Sequence, residues 1–291
     1  MSPRADAAAR AGYARPMLRR AGALARSTHP GPGLAVTAVT VLLGVAVGLE
    51  WWRIVLLGLA LALDQASVGL SNDALDAGRD REVGRTDKPV ARGDIGIGTV
   101  YVAAVATAVL SLALTLPLGA LALAAHAIAL GSAWLYNVIA KATPLSVLPY
   151  LVSFGLLPAI ATLARPVPAW PAWWAMAAGA LLGVAAHFAN VLPDLDDDRR
   201  TGIRGLPHRV GLRPSLVVTW TALVLAAGAV AYGSGLTVVA SAGLAVSVAL
   251  GIGGVIVAWR RGPGRWLFRL VIAAALVDVV LLVLAGPRLV A

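Results

Sequence analysis

Long apolar runs separated by short polar stretches dominate this chain. About 20 consecutive apolar residues wound as α-helix cross the ~30 Å hydrocarbon core of a bilayer. Runs of that order recur near residues 34–49, 54–72, 97–115, 118–138, 144–163, 170–192, 214–232, 235–258 and 266–286. The pattern predicts an all-α integral membrane protein, with nine transmembrane helices in a single bundle over residues 34–291. No apolar stretch with a cleavage site precedes the first run, so residues 1–33 are expected to form a basic segment that stays on the cytoplasmic side.

Composition points the same way, because 59% hydrophobic and only 13% charged residues lie far outside the soluble globular range. A formal net charge of +10 would suit nucleic acid, but the placement of the charges argues against that partner. With nine crossings from a cytoplasmic start, all but Arg53, Arg165 and Arg288 of the 24 Lys and Arg residues fall on the cytoplasmic side, as the positive-inside rule requires. The basic surface therefore reads as one that meets anionic lipid headgroups or phosphorylated substrates. Trp51, Trp52, Trp170, Trp173 and Trp174 collect at the opposite helix ends as interfacial anchors. Gly44 and Gly48 read as sites of close helix packing. There is no cysteine, which excludes disulfides, thiolate chemistry and Cys-based metal sites.

The acids are not spread over the loops as solubilising charges would be. Ten of the fourteen fall into two short segments: Asp73, Asp76, Asp80, Glu82, Asp87 and Asp94, then Asp194, Asp196, Asp197 and Asp198. "NDALDAGRD" and "NVLPDLDDD" repeat one pattern, Asn-x-x-x-Asp-x-x-x-Asp, from Asn72 and again from Asn190. Four expected crossings separate them, and an even number returns the chain to the same face. Both Asp-rich loops are thus expected to open on one side of the membrane, the cytoplasmic one.

At about 100° per residue, Asn72, Asp73, Asp76 and Asp80 share one arc of a helix, and Asn190, Asp194, Asp197, Asp198 and His187 share another. Carboxylates with amide oxygens and no Cys describe a hard-cation site, which favours Mg²⁺ over Zn²⁺. Two facing Asp clusters that each hold Mg²⁺ would clamp a diphosphate. Arg79, Arg85, Lys88, Arg92, Arg204 and Arg209 are candidates for direct phosphate contacts. A calcium hand at "DLDDDRRTGIRG" fails, because Arg199 and Gly205 stand where Gly and a bidentate Glu would be needed. Asp64, inside the second apolar run, and His187, one turn before Asn190, are candidates to orient an acceptor. Asp278 and His126 read as packing groups.

The two motifs resemble those of the UbiA superfamily of intramembrane prenyltransferases. "NDALDAGRD" fits that family's first Asp-rich motif NDxxDxxxD throughout, "RTDKPVARGD" is similar to its basic Pro-and-Gly loop, and "NVLPDLDDDRRTGIRGLPHRVG" to its second motif. The resemblance implies Mg²⁺ on Asp73, Asp76, Asp80, Asp194 and Asp198, an isoprenyl diphosphate as donor, and alkylation of a hydrophobic acceptor by an allylic cation. It also implies diphosphate contacts from Tyr136 and Lys141. These are five apart here, where many members have Tyr-x-x-x-Lys, so both can reach one ligand only if the chain leaves regular helix between them. Two rival readings remain: a terpene cyclase that ionises the same donor, and a carrier or cation transporter that uses the carboxylates as a pathway.

Overall fold

The computed structural model describes residues 19–192, 195, 198, 202–261 and 265–290. Its helices are α1 (Arg19–Arg26), α2 (Pro30–Ala46), α3 (Trp51–Glu82), the short α4 (Pro89–Arg92), α5 (Ile97–Thr115), α6 (Ala120–Val138), α7 (Val147–Leu163), α8 (Trp173–Val191), the short α9 (Leu206–Val210), α10 (Leu212–Gly233), α11 (Val238–Arg261) and α12 (Arg265–Leu284). No strand occurs among the described residues.

Helices occupy the expected apolar segments, but length and apolarity qualify fewer of them as crossings than the nine expected. Six do so among the described residues: α3, α5 with its 3-10 extension to Leu118, α6, α8, α10 and α11. A seventh arises if α1 and α2, which meet at 60°, are one broken span, while α7 is apolar but only 17 residues long. Large apolar side chains such as Val102, Val109, Ile128, Val239 and Leu276 are exposed on the outside of the molecule. An outer surface of that kind belongs in hydrocarbon, and the protein is a multi-pass integral membrane protein.

Three apolar clusters hold the bundle. Leu43, Leu57, Leu61, Ile160, Leu163, Trp174 and Leu282 join α2, α3, α7, α8 and α12. Leu182, Leu216, Trp220, Leu223 and Ala274 join α8, α10 and α12. Ala23, Leu70, Ala77, Val90, Ile95 and Val100 fasten α1, the end of α3 and the following loop to α5. Lipid tails are as apolar as Leu, so helices in a membrane gain mainly from close approach. Gly179 and Gly183 of α8 provide it: a Cβ there would stand 2.5 Å from Phe154 O and 2.4 Å from Tyr150 O of α7. Gly44 is likewise packed, against Leu49 and Leu57, whereas Gly48 has open space around it. Gly48 instead supplies a left-handed turn (φ 74°) at the end of α2.

The described basic residues expected on the far side do gather at one end. Arg53 donates to Ala164 O at 2.8 Å and stacks over Trp52, and Arg288 abuts Gly235. Residues 172 and 289 are bonded at the same end through Ala172 N and Leu289 O (2.7 Å).

Candidate active site

α3 does not stop where its apolar run stops. It continues as helix to Glu82, so Asn72, Asp73, Asp76 and Asp80 project from its last three turns on one side. Asp73, Asp76 and Asp80 are all buried, which is costly for carboxylates unless cations and donors meet them. Asp76 receives Asn72 Nδ2 at 3.2 Å, the guanidinium of Arg79 and the ammonium of Lys141. Asp73 meets His29 Nε2 at 2.7 Å and Lys88 Nζ at 3.3 Å, and Lys88 also lies 3.0 Å from Asp80.

Each of these cations comes from a segment that has to bend back. The chain turns at Gly84 (φ 70°), Arg85 N bonds Asp80 O, and Lys88 caps α4. Val90 of α4 is anchored in the apolar cluster beside α3, which returns the Lys88 ammonium over the acids. α6 ends at Val138, Ile139 leaves helical geometry, and a 3-10 turn at Ala140–Ala142 presents Lys141. The break lets Tyr136 and Lys141 face the same space despite their five-residue spacing. Burial lowers the Lys141 pKa and outweighs the pull of Asp76. Burial also disfavours the Lys88 ammonium, but Asp73 and Asp80 together raise it above the ordinary lysine value.

A cavity of about 450 Å³ opens onto this cluster, within the usual range for small-molecule sites. His29, Asp76, Asp80, Arg85, Lys88, Lys141, Asp198 and His208 line its polar end, and Val36, Val68, Tyr136, Tyr150, Phe154 and Ala186 its apolar end. Asp198 belongs to the second acidic segment, and His208 Nε2 lies 3.1 Å from its Oδ2. The two Asp-rich segments therefore share one chamber. Asn137, also on its wall, donates to Val68 O and Ser71 Oγ and lies 3.4 Å from Asn72, tying α6 to α3 where the acids begin.

The donor set suits a hard divalent cation. It consists of oxygens without sulfur, and Asp73 Oδ2 is buried without a hydrogen-bond partner. Among the described residues no three His, Asp or Glu side chains converge closely enough to hold an ion by themselves.

Residues 33–284 match the UbiA prenyltransferase family. The chain belongs to that family. Over 158 residues it is 28% identical to the 4-hydroxybenzoate octaprenyltransferase of Herminiimonas arsenicoxydans and 31% identical to that of Burkholderia lata; each match covers 53% of this chain and 55% of the relative. The chain thus spans about half the length of the curated relatives it matches. Among solved structures, a UbiA homolog from Archaeoglobus fulgidus bound to GPP and Mg²⁺ superposes with a TM-score of 0.70 at 15% identity, over 90% of this chain and 99% of that one. The UbiA fold is therefore shared.

Within the UbiA frame, the candidate residues separate. Asn72, Asp76, Asp80, Arg85, Lys88, Tyr136, Lys141, Asn190 and Asp198 line the cavity, with Asp73 just behind through Lys88 and His29. Arg79 reaches Asp76 from outside the lining. Asp194 lies outside the described residues. Five candidates stand off the cavity. Arg92 pairs with Asp94 and bonds Thr86 O, while Arg204 and Arg209 are exposed and joined to each other through Arg209 Nε and Arg204 O. Asp64 turns away, toward His126 at 3.4 Å, because the cavity face of α3 at that level belongs to its neighbour Gln65. His187 is buried behind Tyr136 and Tyr150 and bonds Ser146. The sequence reading missed His29, Gln65, Asn137, Tyr150 and His208. His29 carried one local signal, its place just before the Pro-Gly-Pro start of α2.

Proposed function

We propose that the chain is a Mg²⁺-dependent intramembrane prenyltransferase that moves an isoprenyl group from an isoprenyl diphosphate to an aromatic or lipid-like acceptor. The observation that carries this reading is a cavity whose one end is carboxylate and ammonium and whose other end is aromatic and aliphatic. A prenyl diphosphate has the same two-ended chemistry. We further propose nine crossings, with the N-terminal segment and both Asp-rich loops on the cytoplasmic side, as the distribution of Lys and Arg favours.

Asp73, Asp76, Asp80, Asp194 and Asp198 would hold the metal. When bound there, Mg²⁺ would supply positive charge against that of the departing diphosphate. Lys88, Lys141 and Arg85 line the same end and supply fixed cations for the phosphate oxygens. As the carbon–oxygen bond of the donor breaks, its electron pair leaves with the diphosphate and an allylic cation remains. Tyr136, Tyr150 and Phe154 wall the space where that cation would form and keep water from it. The acceptor then bonds the allylic carbon and gives up a proton to the released diphosphate or to water. Relatives named for 4-hydroxybenzoate favour an aromatic acceptor.

The test uses purified protein in detergent, labelled farnesyl or geranylgeranyl diphosphate, and Mg²⁺ present or chelated. Mg²⁺-dependent diphosphate release that disappears in Asp76→Ala and Asp194→Ala is the expected result, with the label recovered on added acceptor. Label recovered as a cyclic hydrocarbon without acceptor would instead identify a terpene cyclase. Binding with no release in the unaltered protein would point to a carrier.

A further inference from the structure

The buried pair Ser146 and His187 has no part in the chemistry above, yet it sits where two cavity-forming segments meet. Ser146 is the N-cap of α7, four positions beyond the turn that presents Lys141. Its Oγ accepts the backbone N–H of Leu206 at 2.8 Å and lies 3.0 Å from His187 Nε2 of α8. With Leu206 as donor, the hydroxyl keeps its own proton for His187. Both side chains are buried, and the His187 ring is wedged 4.9 Å from Tyr150 and 5.7 Å from Tyr136, so the hydroxyl has a fixed post to lean on.

Leu206 opens α9, which carries His208 to Asp198. Its neighbour Gly205 packs so tightly that a Cβ would stand 2.6 Å from Lys141 O and 2.9 Å from Ser146 Oγ. One hydroxyl thus fastens the loop that follows the second acidic segment to the turn that presents Lys141 and to α8.

We propose that Ser146 and His187 are positioning residues, a latch that holds the 202–210 loop against the Lys141 turn so that both halves of the diphosphate site keep a common register. The role assigned to the register rests on the prenyltransferase reading; the latch itself does not. A loosened latch would leave the acids of α3 and their cations intact and displace only Asp198 and His208.

Hydrogen–deuterium exchange on the full chain in detergent reads the Leu206 amide directly. Ser146→Ala is expected to speed exchange across 202–210 about five- to tenfold, as loss of one buried hydrogen bond does, with the α3 amides unchanged. Ser146→Thr, which keeps the hydroxyl, is expected to hold exchange near the parent rate. His187→Phe keeps the aromatic stack and removes Nε2, and the Ser146→Ala/His187→Phe double variant should exchange no faster than Ser146→Ala, since both cut one connection. In turnover, Ser146→Ala should raise KM for farnesyl diphosphate by a similar factor while kcat changes less than about twofold. Unchanged exchange in Ser146→Ala, or additive effects in the double variant, would overturn the latch. An unaltered protein that releases no diphosphate would sink the prenyltransferase reading, and the exchange result would still decide the latch.

Discussion

Asp76 is the residue on which most of the polar site converges. Asn72 and Arg79 reach it from its own helix, and Lys141 from a turn 65 positions away. Asp76→Ala should therefore lower diphosphate release on the order of 100- to 1000-fold. It would also take from the half-buried Lys141 its carboxylate partner among the described residues, so a drop in detergent melting temperature should accompany the loss. The two lysines make a second prediction. Lys141 has a lowered pKa and Lys88 a raised one, so Lys141 gives up its proton first as pH rises. Amine acylation followed by peptide mapping should modify Lys141 at lower pH than Lys88, and the opposite order would contradict the geometry. In linkage terms, Lys88 contributes stability that is complete below its unfolded pKa and is lost as pH climbs through its higher folded value. Lys141 does the reverse, with stability rising between its lowered folded value and the unfolded one. The acids themselves were legible, because a carboxylate repeat beside hydrocarbon has few explanations. Their partners were not: His29 meets Asp73 across 44 positions, a pairing that only the fold creates. Asp64 shows how fine the margin is, since one position on a helix turns a side chain by about 100° and Gln65 took the cavity wall instead.

Among the elements, hydropathy located the helices well and their ends poorly. The second apolar run was expected to end at 72, yet α3 continues to Glu82. Hydropathy reports where hydrocarbon stops, and a helix rich in Ala, Asp and Arg has no backbone reason to stop there. The departure from helix between Tyr136 and Lys141 follows from their spacing only on the condition that both reach one ligand, and the chain does break at Ile139. By contrast, Arg92, Arg204 and Arg209 share only loop membership with Lys88, and loop membership does not say which way a side chain faces. The close meeting of α7 and α8 was also missed, since Gly179 and Gly183 sit inside an ordinary apolar run. Gly183→Leu should push α8 off Tyr150 O, cost about 1–3 kcal/mol by overpacking and displace the Tyr150 wall. Thermal unfolding and turnover in the same detergent preparation would check both effects.

For the molecule as a whole, the two acidic segments were expected on one face, and Asp76, Asp80 and Asp198 do line one chamber. Net charge was less informative, because +10 as a sum does not separate cations that line the chamber from those that lie elsewhere on the chain. The absence of cysteine makes sidedness simple to measure. Single-cysteine variants Glu82→Cys and Arg165→Cys in sealed vesicles should react with an impermeant maleimide from opposite sides, the former from the cytoplasmic face. Reaction of both from one side would break the proposed topology.

α3 joins the two ends of the molecule as one uninterrupted rod, from exposed Trp51 to buried Asp80. At ~1.5 Å per residue that distance is about 43 Å, and Asp73 stands about 33 Å along it, just beyond a hydrocarbon core of ~30 Å. If Trp51 is moored in one interface, the rod would act as a depth gauge that sets how far the first carboxylates stand above the opposite one. Bilayer thickness then becomes a kinetic variable: long-chain lipids would draw the acids into hydrocarbon and short-chain lipids would lift them into water, so turnover should peak at an intermediate acyl length.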